Sequence, residues 1–137
     1  MFLKLGTPVV VAATLLLADV GADAGPAPIC ATLTTTVQGQ APVQEALRLT
    51  VGATLAGGTM VELVGSSVAS DEVLRGAAAL LPGGATARVG LTIVDATLKN
   101  ARDVGLLVTL ATASGTGVFT RLDGASGTAA VHFGACP

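Results

Sequence analysis

Tryptophan and tyrosine are absent from this 137-residue chain, and phenylalanine occurs only at Phe2, Phe119 and Phe133. A core without large rings must be assembled from Val, Leu, Ile and Ala, each of which buries less area. The same shortage removes the flat platforms on which sugars and single-stranded nucleic acids stack. Charge is scarce too: 12% of residues are charged, against about 25% in ordinary domains. The net charge is −2 and no basic cluster is present, so nothing in the sequence offers nucleic acid an electrostatic footprint. Two cysteines and a single histidine, His132, cannot complete a four-coordinate zinc site. Gly83-Gly84 and Gly115-Thr116-Gly117 match no phosphate loop, because no lysine follows at the required offset. No cofactor or metal is therefore expected.

What is present begins with an apolar leader. Lys4 precedes the run Val9–Ala18, and Ala22-Asp23-Ala24 before Gly25 has the small-x-small form of a signal-peptidase site. The uncharged stretch Leu5–Ala18 falls short of the ~20 residues that span a bilayer. Residues 1–24 are expected to be a cleaved signal peptide, which leaves 25–137 as one domain with no stable membrane span. The competing reading is a segment retained in the mature protein, either as a core element or in a virion subunit that never crosses a membrane. Ile29 is not the small residue that lipidation of Cys30 would require.

Export gives the two cysteines a meaning. In an oxidising compartment, secreted or periplasmic, Cys30 and Cys136 are expected to form a disulfide enclosing almost the whole domain. Intermolecular pairing and two free buried thiols are the alternatives.

From Ala31 onward the dominant signal has period two. Ala31, Leu33, Thr35 and Val37 form one alternating set, followed by Leu47, Leu49 and Val51, and then Val61 and Leu63. Val89, Leu91 and Ile93 continue it, then Leu106, Val108 and Leu110, then Val118, Thr120 and Leu122, and finally Ala129, Val131 and Phe133. Alternation of this kind predicts strands with one core face. Gly57-Gly58, Pro82-Gly83-Gly84, Lys99-Asn100, Ser114–Gly117 and Asp123-Gly124 read as the turns between them. About seven short strands predict an antiparallel immunoglobulin-like β-sandwich, with a small barrel as runner-up. Ser70–Leu81 breaks the rhythm. Its cap candidate, early acids and alanines predict a short helix, stopped by Pro82-Gly83-Gly84.

Catalytic groupings are thin. His132 lies in an alternating stretch, and Ser114, Ser126 and Asp123 sit in Gly-rich segments where they serve as turn formers. The adjacent acids Asp71-Glu72 suit the start of a helix better than a glycosidase pair. Asp95, Asn100 and Asp103 lack the spacing of a calcium loop. No enzyme is expected. After residue 24 Lys99 is the only lysine, so sheet edges have little protection against association.

The expectation is thus an exported, non-catalytic surface or structural module that self-associates or meets a protein partner through strand edges or sheet faces. Its composition is similar to that of many fibre subunits and virion surface proteins. One alternative is a secreted binder of a small or apolar ligand held between the sheets. Another is a virion surface subunit that keeps its N-terminus.

Overall fold

The computed structural model describes residues 28–55 and 59–136. They form eight strands, which are β1 (Ile29–Val37), β2 (Val43–Leu55), β3 (Met60–Ser67), β4 (Val73–Leu80), β5 (Thr86–Val94), β6 (Ala101–Thr109), β7 (Ser114–Arg121) and β8 (Ser126–Ala135). Each strand pairs antiparallel with the next. β8 then returns to β1, in register from Ile29↔Ala135 to Val37↔Gly127, and closes the sheet into an up-and-down barrel. The expected immunoglobulin-like sandwich is therefore corrected to a closed barrel. Sandwich and barrel strands share the same alternation, and what separates them is a pairing between the two ends of the chain.

The eighth strand comes from the segment read as a helix. Among the described residues there is no helix, and β4 runs through residues 73–80 as a full partner of β3 and β5. The cap signal at Ser70 is real but local: its Oγ accepts a hydrogen bond from the Glu72 amide at 3.3 Å, closing a turn rather than starting a helix. Leu74 and Ala78 then face the core. Pairing on both sides overrides the helical preference of Ala77–Ala79, which is weak beside tertiary context. Ser114–Gly117, read as a turn, instead opens β7, and the turn before it lies at residues 110–113. The β7 register is also corrected, because Phe119 points inward while Val118 and Leu122 are exposed. The leader 1–24, with Ala22, Ala24 and the following Gly25, lies outside the described residues, as does Gly57-Gly58.

Elsewhere the alternation holds. Leu33, Leu47, Leu49, Ile93 and Val108 are fully buried, and Phe133 closes the core near the end of β8. An eight-stranded barrel is just wide enough for side chains to fill, and aliphatic residues together with Phe119 and Phe133 fill this one. The alternation, apolar inside with Arg48, Arg75, Arg88 and Asp103 outside, is the reverse of that in a barrel facing lipid.

Closing so narrow a barrel needs tight coiling. Gly76 and Gly117 lie where strands approach so closely that a Cβ would stand 1.9 Å from the Gly90 carbonyl oxygen and 1.8 Å from that of Gly105. No other residue fits there, which is the role glycine plays at barrel corners. Gly65, Gly115 and Gly127 stand in the same relation to neighbouring carbonyls.

The start of β1 and the end of β8 meet at one rim. Cys30, at the start of β1, is bonded to Cys136, just beyond β8, with the two Cα atoms 4.8 Å apart. The expected disulfide is present and lies on the closing seam. For a loop of about 100 residues the chain-entropy model gives roughly 4.7 kcal/mol of stabilisation. The opposite rim carries the hairpins joining β1 to β2, β3 to β4, β5 to β6 and β7 to β8.

Candidate functional site

At the hairpin rim three charged side chains turn inward. Glu45 shares the inward parity of Leu47, Arg102 that of Val104, and Glu72 that of Leu74. Arg102 is the shared cation. Its guanidinium makes an ion pair with Glu45 and a two-pronged one with Glu72, at 2.9 and 3.1 Å. The side chains are only 15–21% exposed, so the group forms a polar lid over the aliphatic core. Burial disfavours the charge on Arg102, but hydrogen bonds to Glu72 and the nearby Glu45 carboxylate outweigh it and raise its pKa. The Arg102 charge is thereby fixed.

Outside this lid lies an open cleft of about 490 Å³, lined among others by Glu72, Lys99, Arg102, Arg121 and Asp123. Its charges are largely spoken for. Arg121 reaches Asp123 at 3.3 Å, and Asp123 also accepts from the Ala125 amide at 2.9 Å in the β7–β8 turn, where Gly124 has φ 94°. That is the Asp-Gly hairpin the sequence predicts. A second opening of about 600 Å³ runs along the outer wall between Val64, Val73, Val94 and Leu98, beside Arg75 and Thr92.

The catalytic candidates split between the two rims, with His132 beside Ser114 at one and Ser126 and Asp123 at the other. His132 is exposed on the outside of β8, in register with Thr32 of β1 and Ser114 of β7. The Ser114 hydroxyl is engaged with Thr112 at 2.9 Å. Ser126 and Asp123 lie at the far rim, where the β7–β8 hairpin turns. Asp71 remains exposed while Glu72 turns to Arg102, so the adjacent acids do not act as a pair.

Asp95 folds back on its own hairpin, accepting from the backbone amides of Asn100 and Lys99 and from the side chains of Asn100 and Thr97. The Asn100 amide leads in holding its carboxyl below the usual range. Asp103 stands apart on the outside of β6, bonded to Thr92 at 2.7 Å. Asp95 thus serves as a hairpin anchor and Asp103 as half of a cross-strand pair. Among the described residues no three His, Cys, Asp or Glu side chains gather into a metal-holding group.

Sequence reasoning missed the Glu45–Arg102–Glu72 lid. Its signal was available: Glu45 and Arg102 occupy inward positions of their alternating strands, where a charge needs a partner.

The outer wall carries the other feature. Five neighbouring strands each place one charge outward: Arg48 on β2, Glu62 on β3, Arg75 on β4, Arg88 on β5 and Asp103 on β6. The outward positions of β7, β8 and β1 hold Thr116, Val118, Thr120, Thr128, Ala130, His132 and Thr32–Thr36 alternates, with no carboxylate, lysine or arginine. No protein-family model, curated protein or solved structure matches the chain.

Proposed function

We propose that this chain is an exported, non-catalytic interaction module that makes its contacts through the outer wall of a disulfide-closed barrel. The observation that carries the reading is where the apolar side chains go once the barrel is full. Val73, Leu98, Leu107, Val118 and Leu122 are 51–74% exposed on the outside, although the interior has its own aliphatic packing. Contiguous apolar patches mark contact surfaces, and two are present here: Val73 and Leu98 line one groove, and Leu107 and Val118 are cross-strand diagonal neighbours on β6 and β7. Closure removes the edge-pairing route expected from sequence, since β1 through β8 are all paired on both sides. Sheet faces and hairpin tips remain. The alternative of an apolar ligand held inside is disfavoured by Leu33, Leu47, Leu49, Ile93 and Val108, which occupy that space. A disulfide is compatible with an extracellular or periplasmic location.

The test combines intact mass of the natively expressed protein, with and without reductant, and a broad hydrolase screen. The reading predicts a chain beginning at Gly25, about 2 Da lighter than its reduced form because of the bridge, and no turnover. A reduced chain retaining Met1, or an activity abolished by His132→Ala, would overturn it.

A further inference from the structure

We infer that the groove over β3, β4 and β5 takes a single-chain carboxylate amphiphile, its tail on Val73, Val94 and Leu98 and its acid on the Arg75 guanidinium. This rests on the interaction-module reading, in which the outer wall makes the contacts, and names the chemistry that one part of that wall accepts.

Register builds the groove. Val64, Arg75 and Thr92 form one outward row across the three strands, and Val73 pairs with Val94 in the row nearer the hairpin rim. Leu98 joins them from the β5–β6 hairpin. Val73 is 54% exposed and Leu98 74%.

Leu98 is held there against its own preference. Its φ is 61°, a left-handed backbone that leucine rarely adopts. Asp95 fixes the turn: its side chain accepts from the amides of Lys99 and Asn100, and its carbonyl accepts from the Leu98 amide at 3.0 Å. Strain kept in place by surrounding bonds is typical of ligand clamps. The other such residue, Ala113, has a structural reason, since it packs against the core and its carbonyl accepts from the Phe133 amide. Leu98 has no place in the core, and the groove is what it lines.

Charge selects the occupant. Among the described residues Arg75 makes no ion pair. Asp103 lies two strands away and accepts from Thr92 at 2.7 Å. Glu62 reaches over Gly52 on β2, where a Cβ would stand 2.6 Å from its Oε1. A wholly apolar occupant would cover an unpaired guanidinium, which is costly. A small anion alone would meet one exposed cation, which holds it weakly in water. An extended peptide would bring backbone amides and carbonyls to a groove whose only polar side chains are Arg75 and Thr92. An alkyl chain needs no such partners, and its carboxylate fits the planar fork of the guanidinium. Two residues of strand, ~6.8 Å, separate Arg75 from Val73, a span that a medium-chain tail covers.

The experiment is a titration of the bridged, isotopically labelled protein with decanoate below its micelle concentration, followed by amide chemical shifts. Decanol supplies the tail without the charge, and acetate the charge without the tail. The expected result is saturable shifts centred on Val73, Arg75, Val94 and Leu98, with decanol and acetate each at least ~10-fold weaker. Arg75→Gln should weaken decanoate by a similar factor, whereas Arg88→Gln, outside the groove on β5, leaves it unchanged. Leu98→Gly should weaken it too without lowering the melting temperature, because glycine accepts that backbone freely. Shift dispersion verifies that each variant folds.

No saturable shift up to ~10 mM decanoate, past millimolar affinity, would overturn the inference. So would decanol binding as tightly as decanoate, or decanoate binding that Arg75→Gln leaves intact. Groove shifts that follow protein concentration alone would also overturn it, because a second copy would then be the occupant. Each of these failures leaves the mass and turnover tests of the interaction-module reading standing, and a chain that fails those tests can still bind decanoate.

Discussion

Gly76 and Gly90 look equivalent in the sequence, each a glycine in the middle of an apolar-rich stretch, yet they do opposite things. Gly76 faces inward, where a methyl group would stand 1.9 Å from a backbone oxygen, while a Cβ on Gly90 meets nothing within 4 Å. The pair Gly117 and Gly105 repeats the contrast, at 1.8 Å against open space. Gly76→Ala and Gly117→Ala are therefore expected to destabilise by about 3 kcal/mol or more, since backbone and not a side chain must move. Gly90→Ala and Gly105→Ala should be neutral or gain about 0.5–1 kcal/mol from reduced backbone entropy in the unfolded chain. Chemical denaturation of the four variants checks the contrast. Strand-interior glycines are a legible sign of tight bends or close backbone approach, but they do not by themselves separate a barrel from a sandwich. Which of them face inward follows from register, and register needs the partners.

At the scale of elements, alternation is a strong signal where the residues are large and a weak one where they are small. β5 and β6 were readable because Val89, Leu91, Ile93, Leu106 and Val108 mark the buried face without ambiguity. β4 was not, because its central alanines carry no period and its acidic start resembles a helix cap. β7 was assigned the wrong face, since Val118 outweighed the lone Phe119 in a strand otherwise made of Gly, Ser, Thr and the terminal Arg121. The hairpins at Asp123-Gly124 and Pro82-Gly83-Gly84 were legible from turn chemistry alone; Gly83 and Gly84 have φ 97° and 73°.

The Glu45–Arg102–Glu72 lid ties β2 and β6 to the start of β4, and its worth is a question at this scale. Arg102→Met leaves two half-buried carboxylates facing each other, and a loss of about 2–4 kcal/mol is expected, below the value for a fully buried pair. Replacing all three residues with Leu, Met and Leu removes the charges together and should recover most of that loss. Urea midpoints of the single and triple variants, measured with the bridge intact, decide between a lid that stabilises and one that only plugs the rim. Should the triple variant be no more stable than Arg102→Met, the ion pairs are themselves stabilising.

The whole molecule is a sheet whose two ends meet. Its class, its disulfide and the poverty of its surface charge were legible, because each depends on composition or on residue types. Closure was not, because it depends on the pairing of Ile29 with Ala135 and Val37 with Gly127, residues at opposite ends of the sequence. That pairing removes the free edges through which a sandwich would associate and leaves the walls, one with charges and one without, as the exposed surfaces of the sheet. The account therefore rests on the seam between β1 and β8. Interstrand NOEs in a labelled sample test it most directly. The account predicts cross-strand contacts from Ile29–Ala135 through Leu33–Val131 to Val37–Gly127, with the amides of both strands slow to exchange. Fast-exchanging edge amides along β1 or β8, or NOEs joining either strand to a different neighbour, would contradict it.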